Sequence, residues 1–395
     1  MPDAILTVNA GSSSIKFAVY RIGEDSGGLA LAAKGLLEGI GTAPRLAIHD
    51  AAGRFLAQRE WAEGGTLRHE DLLAAVLDEI QGRLDGSALR GAGHRVVHGG
   101  ADFTAPAVAT PPVMSALEAL VPLAPLHQPH NLAPVRALAA ARPELPQVVC
   151  FDTAFHRTMP AVARGLALPR RYEGEGIRRY GFHGLSYEFI AGRLADIAPQ
   201  LKRVVVAHLG NGASLCALRD GCSIDTTMSF TALDGLVMGT RCGALDPGVL
   251  LYLLQQGSSA AELEDLLYHR SGLLGVSGLA SDMRELLASP RPEAKEAVEL
   301  FVYRIAQHTA AMAAALGGID GLVFTAGIGE HAAPIRAAVC RRLGWLGIAM
   351  DEAANERHAE RISTTSSVVA VMVIPTDEEL TIACHTLAMI GGTRR

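Results

Sequence analysis

The chain has 395 residues, 49% of them hydrophobic and 19% charged, with a net charge of −6. That length leaves room for about two domains with sizeable cores, and the acidic balance offers no basic field for nucleic acid. The most apolar stretch, 310–323, is interrupted by Gly317, Gly318 and Asp320 and falls short of a membrane span. No basic segment opens the chain, so a signal peptide is not expected. The six cysteines (150, 216, 222, 242, 340 and 384) show no C-x-x-C spacing. Most lie in apolar or strand-like segments and read as small buried hydrophobes of a reduced, cytoplasmic protein.

The first element is "ILTVNAGSSSIKFAVY", residues 5–20, whose two apolar runs predict strands over 5–9 and 14–20. A tight hairpin needs only two turn residues. Here Gly11, Ser12, Ser13 and Ser14 make a longer corner, and Lys16 stands inside the second run. Gly and short hydroxyl residues let backbone N–H groups approach a phosphate, and a Lys adds a point charge. A merely decorated hairpin is the other reading. Further strands are expected at 29–37, 45–49 and 54–58, a helix at 69–84, and a strand at 94–98. Helices at 112–121 and 131–142 precede a strand at 147–151. Such blocks argue for an α/β architecture with mixed sheets.

Near residue 203 the pattern restarts with "RVVVAHLGNGASLCALRDGCSIDTT". "VNAGSSSIKFAV" and "AHLGNGASLCAL" look like one device used twice, with Ser14 and Ser214 at matching places. Two similar domains facing one cleft, each offering a phosphate-touching hairpin, account for this most simply. A third loop, "LVFTAGIGEHAAPIR" at 322–336, reads as strand, Gly turn and helix, whose N-terminus would offer N–H groups to a ligand. Polar residues stand at the ends of these apolar runs: Asn9, Arg95, His98, Asp152, His183, His208, Asn211, Arg241, Asp282, Arg284, Glu378 and Glu379. This is where α/β proteins build sites. Each alone has a structural reading, such as a surface ion pair or acidic first-turn capping; the set carries the case.

In chain order, "VNAGSSSIKF", "HRVVHGG", "PLHQPHN", "FDTAFH", "YGFHGLS", "AHLGNGAS", "DTTMSFTALDGLVMGTR", "SGLLGVSG", "SDMRE", "FTAGIGE" and "PTDEEL" resemble the acetate/propionate kinase family. The resemblance implies the duplicated two-domain fold shared by actin, hexokinase and the Hsp70 ATPase domain, closed around a cleft, and a homodimer. The domains would be 1–150 with about 380–395, on the acyl and phosphate side, and 151–379, binding nucleotide. It implies the reaction ATP + acetate ⇌ ADP + acetyl phosphate with Mg²⁺, or Mn²⁺ in its place; propionate or a broader set of short acids is the alternative acceptor.

By match to the motifs, Arg95 would hold the carboxylate, for which its fork suits better than Lys. His183 and Arg241 would stabilise the transferring phosphoryl group, and Asn9 and Glu378 would place the metal, partly through water. Val97, Leu126, Phe182 and Ala232 would surround the acyl methyl. Ser14 and Lys16 would lie at the phosphate end of the nucleotide. His208, Leu209, Gly210, Asn211 and Gly212 would contact ATP with Asp282, Met283 and Arg284. Gly327, Ile328, Gly329, Glu330 and His331 would seat the adenosine. Asp152 is implied as the acid/base residue. A carboxylate substrate is already ionised at pH 7, however, so an orienting role on Arg or metal-bound water fits better.

The chain departs from the family pattern at Ser229, Ala232 and Asp234, at Cys242, Ala244 and Leu245, and at Gln128 and His130. None removes an assigned catalytic group, but Ala232 in place of Pro bears on acyl-chain preference. Two rival readings differ in their chemistry. A sugar or glycerol kinase of the same fold class needs a base for its hydroxyl and no carboxylate-binding Arg. A non-enzymatic, nucleotide-dependent binding protein needs a partner-binding domain for which two such halves leave no room.

Overall fold

A computed structural model describes residues 3–11, 13–23, 28–61, 67, 69–82 and 88–391. Ser12 of the first corner and positions 83–84 of the expected first helix lie outside them. The chain divides into two compact units, Met1–Ala154 with Asp377–Arg395, and Phe155–Thr376. Asp152 and Glu378 therefore both belong to the first unit.

The first unit holds β1 (Asp3–Ala10), β2 (Ser14–Ile22), β3 (Leu29–Glu38), β4 (Arg45–Asp50), β5 (Phe55–Glu60), β6 (Ala88–Val96), β7 (Ala107–Val108) and β8 (Gln147–Phe151) in one sheet, ordered β5-β4-β3-β2-β1-β6-β8-β7. β1 to β5 form an antiparallel meander, whereas β6 and β8 run parallel to β1 and to each other. Alternation along the strands splits the apolar residues between two faces. Leu6, Val8 and Phe17 pack under the helix His69–Gln81, and Ile5, Ala18 and Tyr20 under the C-terminal helix Glu378–Gly391. That helix lies flush on β6 because Gly93 has no side chain; a Cβ there would stand 2.1 Å from Thr386 Oγ1.

The second unit repeats the plan. β9 (Arg203–Leu209), β10 (Ala213–Arg219), β11 (Cys222–Thr226), β12 (Gly321–Thr325) and β13 (Ala370–Val373) are ordered β11-β10-β9-β12-β13. Three antiparallel strands are followed by two parallel ones, as in β3-β2-β1-β6-β8. The helix Gly184–Ile197 covers one face through Tyr187, Ile190 and Leu194, and the 25-residue helix Pro292–Leu316 packs against β9 to β11. The fold is mixed α/β with a duplicated sheet, as the two similar hairpins in the sequence suggest.

Several local expectations change. β6 ends at Val96, so His98 lies beyond it rather than inside a 94–98 strand. The 322–336 segment has no separate glycine turn: β12 passes directly into the helix Ala326–His331, with Ala326 in the left-handed region at φ 63°. Only Cys150, Cys216 and Cys340 are buried, because Cys222 begins the edge strand β11 and Cys384 sits on the outward side of its helix. Among the described residues no helix is long and apolar enough to cross a membrane.

Candidate active site

In the first unit, polar groups gather where β1, β6 and β8 end and the C-terminal helix begins. Arg95 is the last but one residue of β6, and Asp152 directly follows β8, its N–H donating to Val96 O at 3.1 Å. Arg95 Nη2 donates to Asp152 Oδ2 at 2.6 Å and Nε to Oδ1 at 3.1 Å, a two-point fork. Nη1 donates to Asn9 Oδ1 at 3.2 Å, and Glu378 Oε2 lies 3.8 Å from Nε. Lys16 stands opposite Asn9 in the β1–β2 register. Burial alone would lower the Arg95 pKa, but Asp152 and Glu378 outweigh it and hold the guanidinium charged. Glu378 moves the other way: burial pushes its carboxyl up to about 7, against the pull of Arg95, with Asp152 and Glu379 adding repulsion.

The glutamate is thus a buried carboxyl whose charged form is held chiefly by Arg95. It and the Asn9 carbonyl are hard oxygen donors of the kind Mg²⁺ takes. Among the described residues no group of three or more His, Cys, Asp or Glu is arranged to hold a metal. A cation here would therefore keep most of its waters. Of the residues expected around an acyl methyl, Val97 and Leu126 belong to this unit, Val97 being buried. Phe182 and Ala232 belong to the second, where Phe182 is buried and its carbonyl accepts from His156 Nε2 at 2.9 Å.

The second unit centres on the corner 210–212 between β9 and β10. His183 precedes the helix Gly184–Ile197 in the left-handed region, at φ 58°. A non-glycine residue there is uncommon and marks a position held by its surroundings. Its ring stacks on His208, with centroids 4.1 Å apart and planes 18° from parallel. Two hydroxyl chains stand behind the pair. His183 Nδ1 is 2.8 Å from Ser214 Oγ, which lies 2.5 Å from Tyr187 Oη. His208 Nδ1 is 2.8 Å from Ser186 Oγ, which donates to Thr376 Oγ1 at 2.9 Å. Arg241 is steered by the Ala232 carbonyl, which accepts from Nη1 at 2.6 Å. Arg241 and His183 converge on Gly212: a Cβ on that glycine would stand 2.7 Å from Arg241 Nη2 and 3.4 Å from His183 Nε2.

The same corner opens on a cavity of about 510 Å³. Of the residues expected to bind nucleotide, Gly210, Asn211, Asp282, Met283, Arg284, Gly327, Ile328 and His331 line it. Asp282 caps the helix Met283–Ala288, accepting the Arg284 N–H, and its bonds to the Arg284 side chain hold its carboxyl down to about 2. His208, Leu209, Gly212, Gly329 and Glu330 do not line the cavity. Leu209 and Gly329 are buried, and Glu330 Oε1 turns to the Thr376 N–H at 3.2 Å.

The sequence reading passed over Ser281, Leu287 and Pro334, which also line the cavity. It also passed over Arg336, fully buried with no carboxylate partner among the described residues, whose Nη1 donates to the carbonyls of Gly329 and Glu330 at 2.9 and 2.8 Å and whose Nε donates to Asn355 Oδ1 at 2.7 Å. Nothing in the sequence of its helix, APIRAAVCRR, with two further arginines at the end, sets this one apart. Ser214 was paired with Ser14 as a corner hydroxyl; it is instead fully buried behind His183.

A family model described as the acetokinase family matches residues 4–384. An acetate kinase of Rhodopseudomonas palustris is 52% identical over 400 residues, covering 100% of both chains. One of Deinococcus radiodurans is 46% identical over 400 residues, covering 98% of each. Among solved structures, a propionate kinase from Francisella tularensis matches with a TM-score of 0.90 at 38% identity, over 98% of this chain and 99% of that one. Porphyromonas gingivalis acetate kinase matches with a TM-score of 0.85 at 36% identity, over 98% of this chain and 100% of that one.

Proposed function

The chain belongs to the acetokinase family, phosphotransferases that act on a carboxyl acceptor, and we propose that the residues described above carry out reversible phosphoryl transfer from ATP to acetate, with propionate as a second acceptor. One observation carries the residue assignment. His183 Nε2 and Arg241 Nη2 converge on Gly212, the corner residue next to Gly210 and Asn211 of the nucleotide-sized cavity. Phosphoryl transfer asks for positioning and charge neutralisation more than for covalent chemistry, and two nitrogen donors at one point are suited to developing charge on phosphoryl oxygens.

In the first unit Arg95 binds the acceptor carboxylate. Asp152 orients Arg95 rather than moving a proton, a role its two-point grip supports. Asn9 and Glu378 hold Mg²⁺ or Mn²⁺ together with water, and Ser14 and Lys16 face the phosphates. The metal, when bound, supplies charge neutralisation for the phosphate oxygens. Ala232, where the family pattern has Pro, relaxes selection against a longer acyl chain.

The protein acts as a homodimer in the cytoplasm. Support for dimerisation comes from the helix Pro247–Gln255, "PGVLLYLLQ", none of whose residues is buried, with Leu251 and Tyr252 each 60% exposed. Contiguous exposed apolar surface of this kind marks an interaction site. The cytoplasmic setting rests on cysteine usage without C-x-x-C spacing.

Trapping acyl phosphate as hydroxamate tests the function. With ATP and Mg²⁺, acetate and propionate give product, whereas glucose and glycerol leave ATP unconsumed. ATP consumption with a sugar and no hydroxamate from either acid would overturn it.

A further inference from the structure

We infer that Tyr187 and Ser214 are positioning residues that fix the hydrogen of His183 on Nε2, the nitrogen facing Gly212 and Arg241. This rests on the reading of His183 as a donor to the transferring phosphoryl group. The geometry leaves little freedom. Ser214 and Tyr187 are both fully buried, and a hydroxyl has one hydrogen to give. Ser214 Oγ lies between two partners, His183 Nδ1 at 2.8 Å and Tyr187 Oη at 2.5 Å, while the Tyr187 phenol reaches Ser214 alone among the described residues.

If the phenol donates to Ser214 and Ser214 donates to His183 Nδ1, both hydroxyl hydrogens have an acceptor. Run in reverse, the chain leaves the phenolic hydrogen of Tyr187 buried with no acceptor, and if Ser214 accepts from both partners its own buried hydrogen has none among the described residues; native interiors avoid both arrangements. Burial also pushes the Tyr187 phenol far above its ordinary value, so its hydrogen is always present to be donated. A neutral imidazole that accepts at Nδ1 carries its hydrogen at Nε2.

The ring cannot escape this arrangement by turning. His183 is held at φ 58°, its ring is stacked on His208, and the carbonyl of the preceding Phe182 is fixed by His156 Nε2 at 2.9 Å. Because a carbonyl only accepts, His156 donates there, so its Nδ1 accepts from Ser223 Oγ at 2.8 Å. A second imidazole, with its own tautomer fixed, thus braces the backbone of the first.

The relay is tested on the full-length enzyme by ¹⁵N histidine NMR and steady-state kinetics. The His183 signal, assigned by its loss in His183→Asn, is expected as the Nε2–H tautomer in the wild type. Tyr187→Phe and Ser214→Ala are each expected to lower kcat by roughly 10-fold or more, with KM for ATP and acetate within about threefold. In the His183→Asn background Tyr187→Phe is expected to cost nothing further. Tyr187→Phe removes one oxygen without changing shape, so it decides the matter even if Ser214→Ala does not fold. An Nδ1–H tautomer in the wild type overturns the relay. So does an unchanged kcat in Tyr187→Phe beside a crippled His183→Asn. An undiminished kcat in His183→Asn instead overturns the donor reading of that histidine, and with it any catalytic effect of the relay.

Discussion

Asp152 holds Arg95 with both carboxylate oxygens, at 2.6 and 3.1 Å, while itself only 1% exposed. A buried carboxylate tied this way depends on its partner for charge compensation, and so does Glu378 3.8 Å away. Removing one member of a buried pair typically costs about 3–5 kcal/mol, because the other charge stays behind.

Arg95→Ala is therefore expected to weaken the protein in two measurable ways. KM for acetate rises roughly 10²-fold while KM for ATP stays within about threefold, the loss expected for charge-assisted hydrogen bonds. Unfolding stability in urea falls by about 3 kcal/mol, and adding Asp152→Asn to the same chain recovers part of it. If the double variant is less stable than Arg95→Ala alone, the carboxylate was not the stranded charge.

Acid should destabilise each unit through one buried histidine. Burial depresses His94 in the first unit to about 4, with Gln147 beside it offsetting this only in part. Burial likewise depresses His156 in the second unit to about 4, partly offset by its bond to the Phe182 carbonyl. Both are neutral when folded and protonate when unfolded below their ordinary value of 6.5. The unfolded chain then binds more protons, so stability is intact above that value and declines as pH falls toward 4. At pH 5 the decline is about 2 kcal/mol per histidine. His94→Leu should accordingly gain about 2 kcal/mol on the wild type between pH 7.5 and pH 5. A stability difference that does not change with pH would show that His94 is not depressed.

Most of the sheet strands were legible because hydrophobic runs and turn residues are local signals; the two-residue β7 and the four-residue β13 are too short to show one and were not expected. Their ends shifted only where pairing decided them, as at Val96. The candidate site residues at strand ends, Asn9, Arg95 and Asp152, stood out as polar groups after apolar runs, whereas Arg241 lies in the irregular segment between β11 and the helix Pro247–Gln255. What stayed hidden depends on tertiary neighbours. Ser214 and Ser14 look alike in sequence, yet Ser214 points inward because a tyrosine 27 residues away meets it there. Arg336 reads as an ordinary helical arginine until the fold buries it under the carbonyls of Gly329 and Glu330. The glycines of "TAGIGEH" look like a turn, and they are helical because the left-handed Ala326 makes the bend by itself.

The acyl-chain preference should depend on Ala232. Its carbonyl steers Arg241, and its side chain is smaller by about two carbons than the Pro of the family pattern that the motifs resemble. One more buried CH₂ is worth about 0.8 kcal/mol, and a pocket discriminates a single methylene by only about 1–3 kcal/mol. Propionate is expected within roughly tenfold of acetate in kcat/KM, with butyrate lower. Ala232→Pro should move the ratio toward acetate. A wild-type preference for acetate above about 100-fold, or a ratio unaffected by Ala232→Pro, would refute this.

The exposed helix Pro247–Gln255 should carry the dimer contact. Leu251→Glu combined with Tyr252→Lys is expected to convert the species seen by analytical ultracentrifugation from dimer to monomer at micromolar concentration, with circular dichroism unchanged. Retention of the dimer would locate the contact elsewhere.

The most direct test concerns Arg241, which Ala232 and Gly212 confine beside His183. Steady-state kinetics of Arg241→Ala should show kcat reduced by roughly 10³-fold or more, as for other donors aimed at developing phosphoryl charge. KM for acetate and the calorimetric affinity for ADP should stay within about threefold, because this arginine acts on the transition state rather than on either ground state. A folded Arg241→Ala enzyme with near-normal kcat would contradict the assignment of phosphoryl transfer to the His183 and Arg241 pair.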